Sequence, residues 1–155
     1  MEYKKHQNFK CIIKASTLKD LDDIKLLADE SRQELGFVLK PALRESIRNR
    51  SLYVVKRSAS SPVVGFVHFR NRKDRVTKIY QICIDRCVRR LGFGSKLIKA
   101  VLKQAAVIGQ IKVALQCPED LPANYFYYQN KFSIKNIVQG KRRRLIVWEL
   151  ELIHD

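Results

Sequence analysis

The chain has 155 residues, of which 31 are lysine or arginine and 15 are aspartate or glutamate, so its formal net charge is +16. Its length favours a single domain, because domains commonly have about 100–200 residues. Hydrophobic residues make up 46% of the chain and aromatic residues 9%, which excludes an intrinsically disordered or low-complexity protein. No apolar run approaches the ~20 residues of a membrane-spanning helix, so we expect no membrane partner.

Residues 1–10 form a polar, basic segment, and the single domain is predicted to span residues 11–155. The segment lacks the apolar stretch of a secretory signal, which indicates a cytoplasmic protein, or an organellar one that has lost its transit peptide. No C-x-x-C motif is present, so the cysteines are interpreted as reduced core or near-core residues and no metal site is predicted. These cysteines are Cys11, Cys83, Cys87 and Cys117.

Hydrophobic periodicity divides the domain into a first strand, two helices, a three-stranded antiparallel meander, a β-loop-α-β unit with a parallel strand pair, a short helix and a closing hairpin. Thr17 is a candidate N-cap of the first helix, with Asp20 as its capping-box partner. The order β-α-α-β-β-β-α-β-α-β-β predicts an α/β (α+β) fold with a mixed central sheet. The predicted strands are 11–15, 52–55, 63–69, 76–84, 111–115, 132–138 and 145–152, and the predicted helices are 17–31, 41–48, 95–105 and 123–129.

The positive charge is concentrated after residue 50. Residues 1–50 carry eleven basic and eight acidic side chains, a net charge of +3, whereas residues 51–155 carry twenty and seven, a net charge of +13. Such a surface attracts nucleotide phosphates, nucleic acid or an acidic partner, and it equally suits a solvated face that keeps the protein soluble. The basic clusters are Arg70, Arg72, Lys73, Arg75 and Lys78; Arg86, Arg89, Arg90 and Lys96; and Lys141 to Arg144.

The most informative motif is the strand-loop-helix segment from Ile82 to Leu97, whose loop contains Gly92 and Gly94. A glycine-bearing turn that opens a helix directs unpaired main-chain N–H groups at one point, where the helix dipole adds positive charge. Glycine lets the backbone approach a phosphate closely. The spacing is not that of a Walker loop, and Arg89 stands where a dinucleotide-binding loop needs its first glycine. The segment therefore predicts a pyrophosphate site of another type.

Arg89-x-x-Gly92-x-Gly94 after a strand resembles the acyl-CoA pyrophosphate loop of the GNAT superfamily of N-acetyltransferases. The segment Ala123–Phe132 resembles that family's A-x-x-F-Y-x-x-x-G-F motif, and the element order also matches. The resemblance covers about residues 11–152. It implies the GNAT fold, with helices on both faces of the sheet, and an acetyl-CoA-dependent N-acetyltransferase that transfers the acetyl group directly to a primary amine.

The resemblance also implies roles for individual residues. Tyr127 matches the tyrosine proposed as the general acid that protonates the leaving thiolate, and the ordinary pKa values of a phenol (about 10) and a thiol (about 8.5) permit that transfer. The alternative is that the aromatic residues 125–128 only form the packing side of a helix, which we expect for the three others. The implied cofactor-binding residues are Ile82, Cys83, Ile84, Arg89, Arg90, Leu91, Gly92, Phe93, Gly94, Ser95, Asn124 and Tyr127.

The sequence departs from the family pattern on the strand 78–84, which lacks the glutamate base of many relatives. Gln81 occupies this strand; it cannot abstract a proton, but it is a catalytic candidate because it can orient water or bind substrate. Deprotonation is then left to water, to His68 or Glu34, or to an amine that arrives neutral. Lys131 replaces the usual glycine before Phe132, which adds charge and changes a turn.

The basic surface disfavours a polyamine or lysine-rich acceptor, because like charges repel. It favours an anionic acceptor, such as a nucleotide-linked sugar amine, an aminoacyl-tRNA or a nucleic-acid base. Three hypotheses remain: a small-molecule or protein N-acetyltransferase, a nucleic-acid-directed acyltransferase, and a non-catalytic GNAT-fold binding module. A monomer and a homodimer are both compatible with the sequence.

Overall fold

The computed structural model describes residues 9–153, so most of the predicted N-terminal segment lies outside the described residues. Single 3₁₀ turns at Leu18–Asp20 and Arg86–Val88 precede the first and fourth helices. In chain order, the elements are β1 (Ile12–Ala15), α1 (Leu21–Glu30), α2 (Arg32–Leu35), α3 (Lys40–Arg48), β2 (Leu52–Lys56), β3 (Val63–Asn71), β4 (Val76–Ile84), α4 (Phe93–Val107), β5 (Lys112–Pro118), α5 (Ala123–Gln129), β6 (Ser133–Gln139) and β7 (Arg144–Glu151).

The strands form one mixed sheet in the order β1-β2-β3-β4-β5-β7-β6. β4 and β5 are parallel, and every other neighbouring pair is antiparallel. The predicted meander, parallel pair and closing hairpin are therefore confirmed. The four-residue helix α2 was not predicted, because a single turn is too short to show a helical periodicity.

Two buried clusters lie on opposite sides of the sheet. On the side that we call the α1 face, α1 and α3 pack Ile24 and Leu43 against Phe66. On the other side, the α4 face, α4 and α5 pack Leu97 and Tyr127 among side chains of the sheet. Because helices cover both sides of the strands, the sequence shows long apolar runs in place of clean alternation.

A β-bulge at Tyr80 changes the side of the sheet on which the later residues of β4 lie, compared with strict alternation. Gln81 pairs with His68 and Ile79 pairs with Phe69, so Tyr80 is the extra residue. One inserted residue reverses the alternation of side chains beyond it. Ile79 accordingly packs in the cluster of the α4 face, whereas Cys83, four residues later, packs on the α1 face.

The start of α1 is fixed to the sheet by the buried carboxylate of Asp20. One oxygen accepts a hydrogen bond of 2.9 Å from the main-chain N–H of Thr17, and the other lies 2.8 Å from Lys56 Nζ. The predicted capping box is therefore present, but it caps the 3₁₀ turn Leu18–Asp20 that leads directly into α1. Burial alone raises the pKa of Asp20, but the hydrogen bonds from Lys56 and Thr17 outweigh it and hold this pKa below its usual value.

Two predictions for individual side chains are wrong. Cys87 is exposed, because it lies in the 3₁₀ turn after β4 and not in a strand. Tyr125 and Tyr128 are each 66% exposed and stack on one another, so they do not pack against the protein. The short helix α5 buries Tyr127 and half-buries Phe126.

Candidate active site

The parallel strands β4 and β5 separate next to the bulge. Their pairing runs from Val76 with Lys112 to Ile79 with Leu115 and ends there. β4 then continues to Ile84 and β5 to Pro118 without further pairing between them. The edge of β4 that faces this gap carries main-chain N–H and C=O groups available to an extended ligand, which could add to the strand as a peptide does.

The loop after β4 turns the chain sharply into α4. Arg90 and Gly92 have φ values of +66° and +87°, in the left-handed region. The Asp85 side chain accepts a 2.9 Å hydrogen bond from Cys87 N–H, and Arg89 Nε donates to Ile84 O at 3.1 Å, which holds the loop against the end of β4. The first N–H groups of α4 have no acceptor within the helix, so they are available to an anion beside the gap.

The structure gives a second reason for glycine at position 94, besides the predicted close approach of the backbone to phosphates. A Cβ at this position would lie 3.1 Å from Cζ of Phe126 on α5. The glycine therefore lets α5 pack closely against the first turn of α4. As a result, the loop and the helix that carries Tyr127 are in direct contact.

The basic side chains of the loop also contact the protein itself. Arg89 lies 3.7 Å from Glu34 Oε2, and both side chains are substantially exposed. Lys96 Nζ on α4 donates to the carbonyl of Phe9 at 2.8 Å and so ties the segment before β1 to α4. Glu34, one of the candidate bases, is therefore engaged with the loop.

Tyr127 is 8% exposed, and its ring contacts the rings of Phe126, Phe132 and Trp148. Its hydroxyl has no hydrogen-bond partner within residues 9–153, and because no side-chain oxygen there is both fully buried and unpartnered, this oxygen keeps some exposure to solvent. Burial, and secondarily the neighbouring Cys117, raises the pKa of Tyr127 well above its ordinary value. The hydroxyl therefore keeps its proton at neutral pH and is available as a donor.

Asn124 is held by hydrogen bonds inside the protein. Its Nδ2 donates to the carbonyls of Pro118 at 2.8 Å and Leu121 at 2.9 Å, and its Oδ1 accepts from Trp148 Nε1 at 2.9 Å. The side chain thus fixes the connection between β5 and α5. Its predicted contact with a cofactor stays a prediction.

On the α1 face, His68 lies beside the bulge. Its ring centroid is 5.4 Å from that of Tyr80, and its Nε2 is 3.0 Å from Ser46 Oγ on α3. Ser46 donates its one hydroxyl proton to Ala42 O at 3.0 Å, so we assign Nε2 as the protonated nitrogen and Nδ1 as the basic one. Burial lowers the pKa of His68, which keeps the ring neutral near pH 7.

The remaining predicted residues lie around the same gap. Gln81 is half-buried directly opposite His68. The Cys83 thiol points to the α1 face, where its Sγ is 3.2 Å from Ser31 Oγ, and burial raises its pKa. Only the main chain of Cys83 therefore borders the gap, whereas Ile82 and Ile84 pack on the α4 face. The pairing of Ser46 with His68 has no signal in the sequence, because the two residues lie on different elements.

In the part of the chain that the structure describes, no group of histidine, cysteine and acidic side chains could hold a metal ion. No helix of residues 9–153 combines the length and apolar character needed to cross a membrane.

Comparison with known proteins gives a consistent result for fold and family. The sequence matches the profile of the Acetyltransferase (GNAT) family over residues 19–132. No curated protein matches the sequence significantly.

Solved structures resemble the protein over nearly its whole length. Ard1 from Thermoplasma volcanium superposes with a TM-score of 0.81 at 21% identity, covering 93% of this chain and 99% of that one. PaiA N-acetyltransferase from Thermoplasma acidophilum, in complex with coenzyme A, gives 0.77 at 17% identity, covering 92% and 99%. The ribosomal-protein-S18-alanine N-acetyltransferase from Escherichia coli gives 0.76 at 13% identity, covering 94% and 96%. At these identities the likeness shows the fold.

Proposed function

The chain belongs to the acetyltransferase (GNAT) family, and from this membership we propose that it transfers an acetyl group from acetyl-CoA directly to a primary amine of an acceptor. The observation that carries the proposal is the position of the β4–β5 gap at the same end of β4 as the glycine turn that opens α4. The gap suits an extended arm with amide groups, and the turn suits its pyrophosphate.

The residues fit acetyl-CoA as a substrate. The space beside left-handed Gly92 is open, since a Cβ there would meet nothing within 4 Å, and the N–H groups of residues 89–95 would hold the pyrophosphate. The main chain of residues 82–84 would pair with the pantetheine arm. When bound, acetyl-CoA supplies an activated thioester carbonyl, and a main-chain N–H of β4 would stabilise negative charge that develops on its oxygen.

The transfer forms a C–N bond and breaks a C–S bond, while the amine loses one proton and the sulfur gains one. Tyr127 is the proposed donor to the sulfur. Because its pKa is raised far above the ordinary thiol value of about 8.5, complete transfer of its proton to a thiolate is uphill. We therefore expect the hydroxyl to act mainly by donating a hydrogen bond to the developing thiolate, which then takes its proton from water as coenzyme A leaves.

The amine proton requires a different group. Gln81 has no basic atom, and its proposed role is to orient the amine. His68 Nδ1 is the proposed proton acceptor, since Ser46 fixes Nε2 as the protonated nitrogen.

In the variant His68→Gln we expect kcat/KM to fall about 100-fold, in line with general base catalysis. The decline of kcat/KM at acid pH should also disappear. An unchanged pH profile would contradict the role of His68.

Two measurements test the proposed function. Acetyl-CoA should raise the melting temperature, because a ligand that binds the folded state stabilises it by about 2.7 kcal/mol at 100 times its Kd. Labelled acetyl-CoA should then transfer its label in a screen of amines, peptides and charged tRNA. The absence of a thermal shift at millimolar acetyl-CoA would contradict the proposal. Binding without transfer to any acceptor would favour the non-catalytic module.

A nucleic-acid-linked acceptor is the second candidate. It is favoured because some surface cations have acidic partners, whereas others have none. In the β6–β7 turn, Arg143 and Arg144 face Asp120 and Glu119. Within the described residues, Arg70 makes no comparable ion pair. If the protein follows a phosphate backbone, its affinity for RNA should fall steeply between low and moderate salt. Affinity independent of salt would argue against this candidate.

A further inference from the structure

We propose that Arg70 and Lys78 form a subsite that binds a carboxylate or phosphate group of the acceptor. The substrate assignment rests on the proposed acetyl transfer, whereas the presence of an anion site can be tested without any turnover.

The first observation is a direct opposition of like charges. Arg70 on β3 and Lys78 on β4 are partners in the antiparallel register, so their side chains leave the same face of the sheet next to one another. Like charges in this relation destabilise a sheet. Among the ion pairs of residues 9–153, none involves either side chain. An anion placed between the two cations would remove their repulsion.

The second observation concerns the row of residues that continues from this pair across the sheet. Lys78 is opposite Ala114 on β5, and Ala114 is opposite Glu149 on β7. Glu149 Oε1 is already 2.9 Å from Lys112 Nζ and 3.2 Å from Lys135 Nζ. The Glu149 carboxylate is thus already paired with Lys112 and Lys135. The small Ala114 side chain leaves room beside Lys78.

The third observation links the pair to the proposed reaction centre. Lys78 Nζ lies 5.3 Å from the centre of the Tyr80 ring, and this ring contacts His68. His68 in turn contacts α3 through Ser46, which places the whole chain of contacts on the α1 face. Lys78 belongs to the last stretch of β4 that pairs with β5 before the gap. An acceptor whose amine approaches His68 would therefore have its anionic group within reach of Arg70 and Lys78.

This arrangement selects acceptors by charge. An amine with a carboxylate or phosphate a few bonds away gains an attractive contact, whereas a diamine meets two cations. The inferred substrate class is therefore a small anionic amine, or the anionic end of a larger molecule.

The binding test uses inorganic phosphate and acetate as probes, on protein saturated with coenzyme A so that the pyrophosphate loop is occupied. At constant ionic strength, we expect at least one of them to raise the melting temperature. In Arg70→Gln/Lys78→Gln the Kd for that anion should be at least tenfold weaker. The control is Lys99→Gln/Lys103→Gln, which removes two exposed lysines one turn apart on α4 and should leave the Kd unchanged.

Each contrary outcome of this test is decisive. Anion affinity that is absent in the wild type, unchanged in the Arg70/Lys78 variant, or equally weakened in the control variant would overturn the subsite. The variant is expected to fold normally, because it relieves repulsion, and circular dichroism checks this. If coenzyme A does not bind, the result counts against the proposed function. The anion subsite can then still be tested by measuring phosphate binding to the free protein.

The specificity test compares β-alanine, O-phosphoethanolamine, ethanolamine and 1,3-diaminopropane as acceptors. The first two separate a carboxylate from a phosphate, and at least one should exceed ethanolamine tenfold in kcat/KM. In Arg70→Glu/Lys78→Glu the preference should shift toward the diamine. Equal use of charged and neutral amines, or the same preference in both proteins, would refute charge selection by this pair.

Discussion

The two faces of the sheet hold the two halves of the proposed site in different ways. On the α4 face, the turn and the start of α4 come from one continuous segment, residues 89–95, and their geometry follows from local backbone rules. On the α1 face, His68, Ser46 and Lys78 come from three separate elements. They meet because a bulge reorients β4 and α3 packs beside it. We infer that cofactor recognition is a local property of the chain, whereas acceptor recognition depends on tertiary structure.

The largest effect on the α1 face is expected when α1 is loosened from the sheet. Asp20→Asn leaves the nearly buried ammonium of Lys56 without its charged partner, and breaking a buried pair typically costs about 3–5 kcal/mol. We expect a loss of that order in the free energy of unfolding, measured with urea. The control Asp22→Asn removes a largely exposed ion pair to Lys40 and should have little effect.

The same residue predicts a pH dependence. Because the pKa of Asp20 is lowered in the folded protein, its contribution is complete above the unfolded value of about 3.9 and is lost as the pH falls through the folded value. The difference in stability between the wild type and Asp20→Asn should therefore shrink in acid. A difference that stays constant down to about pH 2 would contradict a contribution from the charge of Asp20.

A smaller effect is expected at Tyr127, which tests the chemistry of the α4 face without disturbing its packing. Tyr127→Phe keeps the ring contacts and removes a hydroxyl that has no hydrogen-bond partner in residues 9–153. We expect kcat to fall about 100-fold, with unchanged coenzyme A affinity and stability. Tyr125→Phe, at an exposed position on the same helix, is the matched control. Full turnover by Tyr127→Phe would remove this residue from the mechanism.

The two ends of α4 offer a sharper comparison of local structure with function. Gly92 and Gly109 have φ values of +87° and +85°, and a Cβ would meet nothing within 4 Å at either position. Alanine at each should cost about 1–2 kcal/mol of stability through backbone strain alone. Gly92→Ala should in addition weaken coenzyme A binding about tenfold, as measured by calorimetry, because it distorts the turn. If Gly109→Ala weakens binding equally, the effect is general and not one of the turn.

The smallest effect is expected from Arg70→Gln. Removing one of two like charges directly opposite in the sheet should stabilise the protein by about 0.2–1 kcal/mol at low salt. The gain should vanish at high salt, where the repulsion is screened. Lys73→Gln, in the turn of the same hairpin, provides the comparison. Destabilisation by Arg70→Gln would mean that Arg70 supports the fold and does not strain it.

The sequence was sufficient to predict features that repeat along the chain or that involve residues close together in the sequence. Periodicity located all seven strands, and the turn at Gly92 was evident from its spacing after β4. Asn124 shows the opposite case, because one of its partners, Trp148, lies 24 residues away on β7. No local pattern distinguishes such an asparagine from one that faces a ligand.

The register of β4 escaped prediction for a similar reason. The residues Lys78 and Gln81 are three apart, yet both lie on the face of their partners Arg70 and His68. Strict alternation assigns them to opposite faces, and only the pairing with β3 reveals the extra residue. The acceptor side of the site could therefore not be assembled from the sequence.

The bulge at Tyr80 also governs how this chain tolerates insertions and deletions as it evolves. Deleting Tyr80 would only remove the bulge, because Ile82, Cys83 and Ile84 would keep their partners on β3 and their sides of the sheet. Deleting a residue beyond the bulge would exchange the sides of the residues that follow it, so that the contents of both cores would change at once. A change of length in the β2–β3 turn at residues 57–62 alters a surface loop. Variation in length among descendants of this sequence should therefore collect in its hairpin turns, while the part of β4 beyond the bulge, residues 81–84, keeps its length.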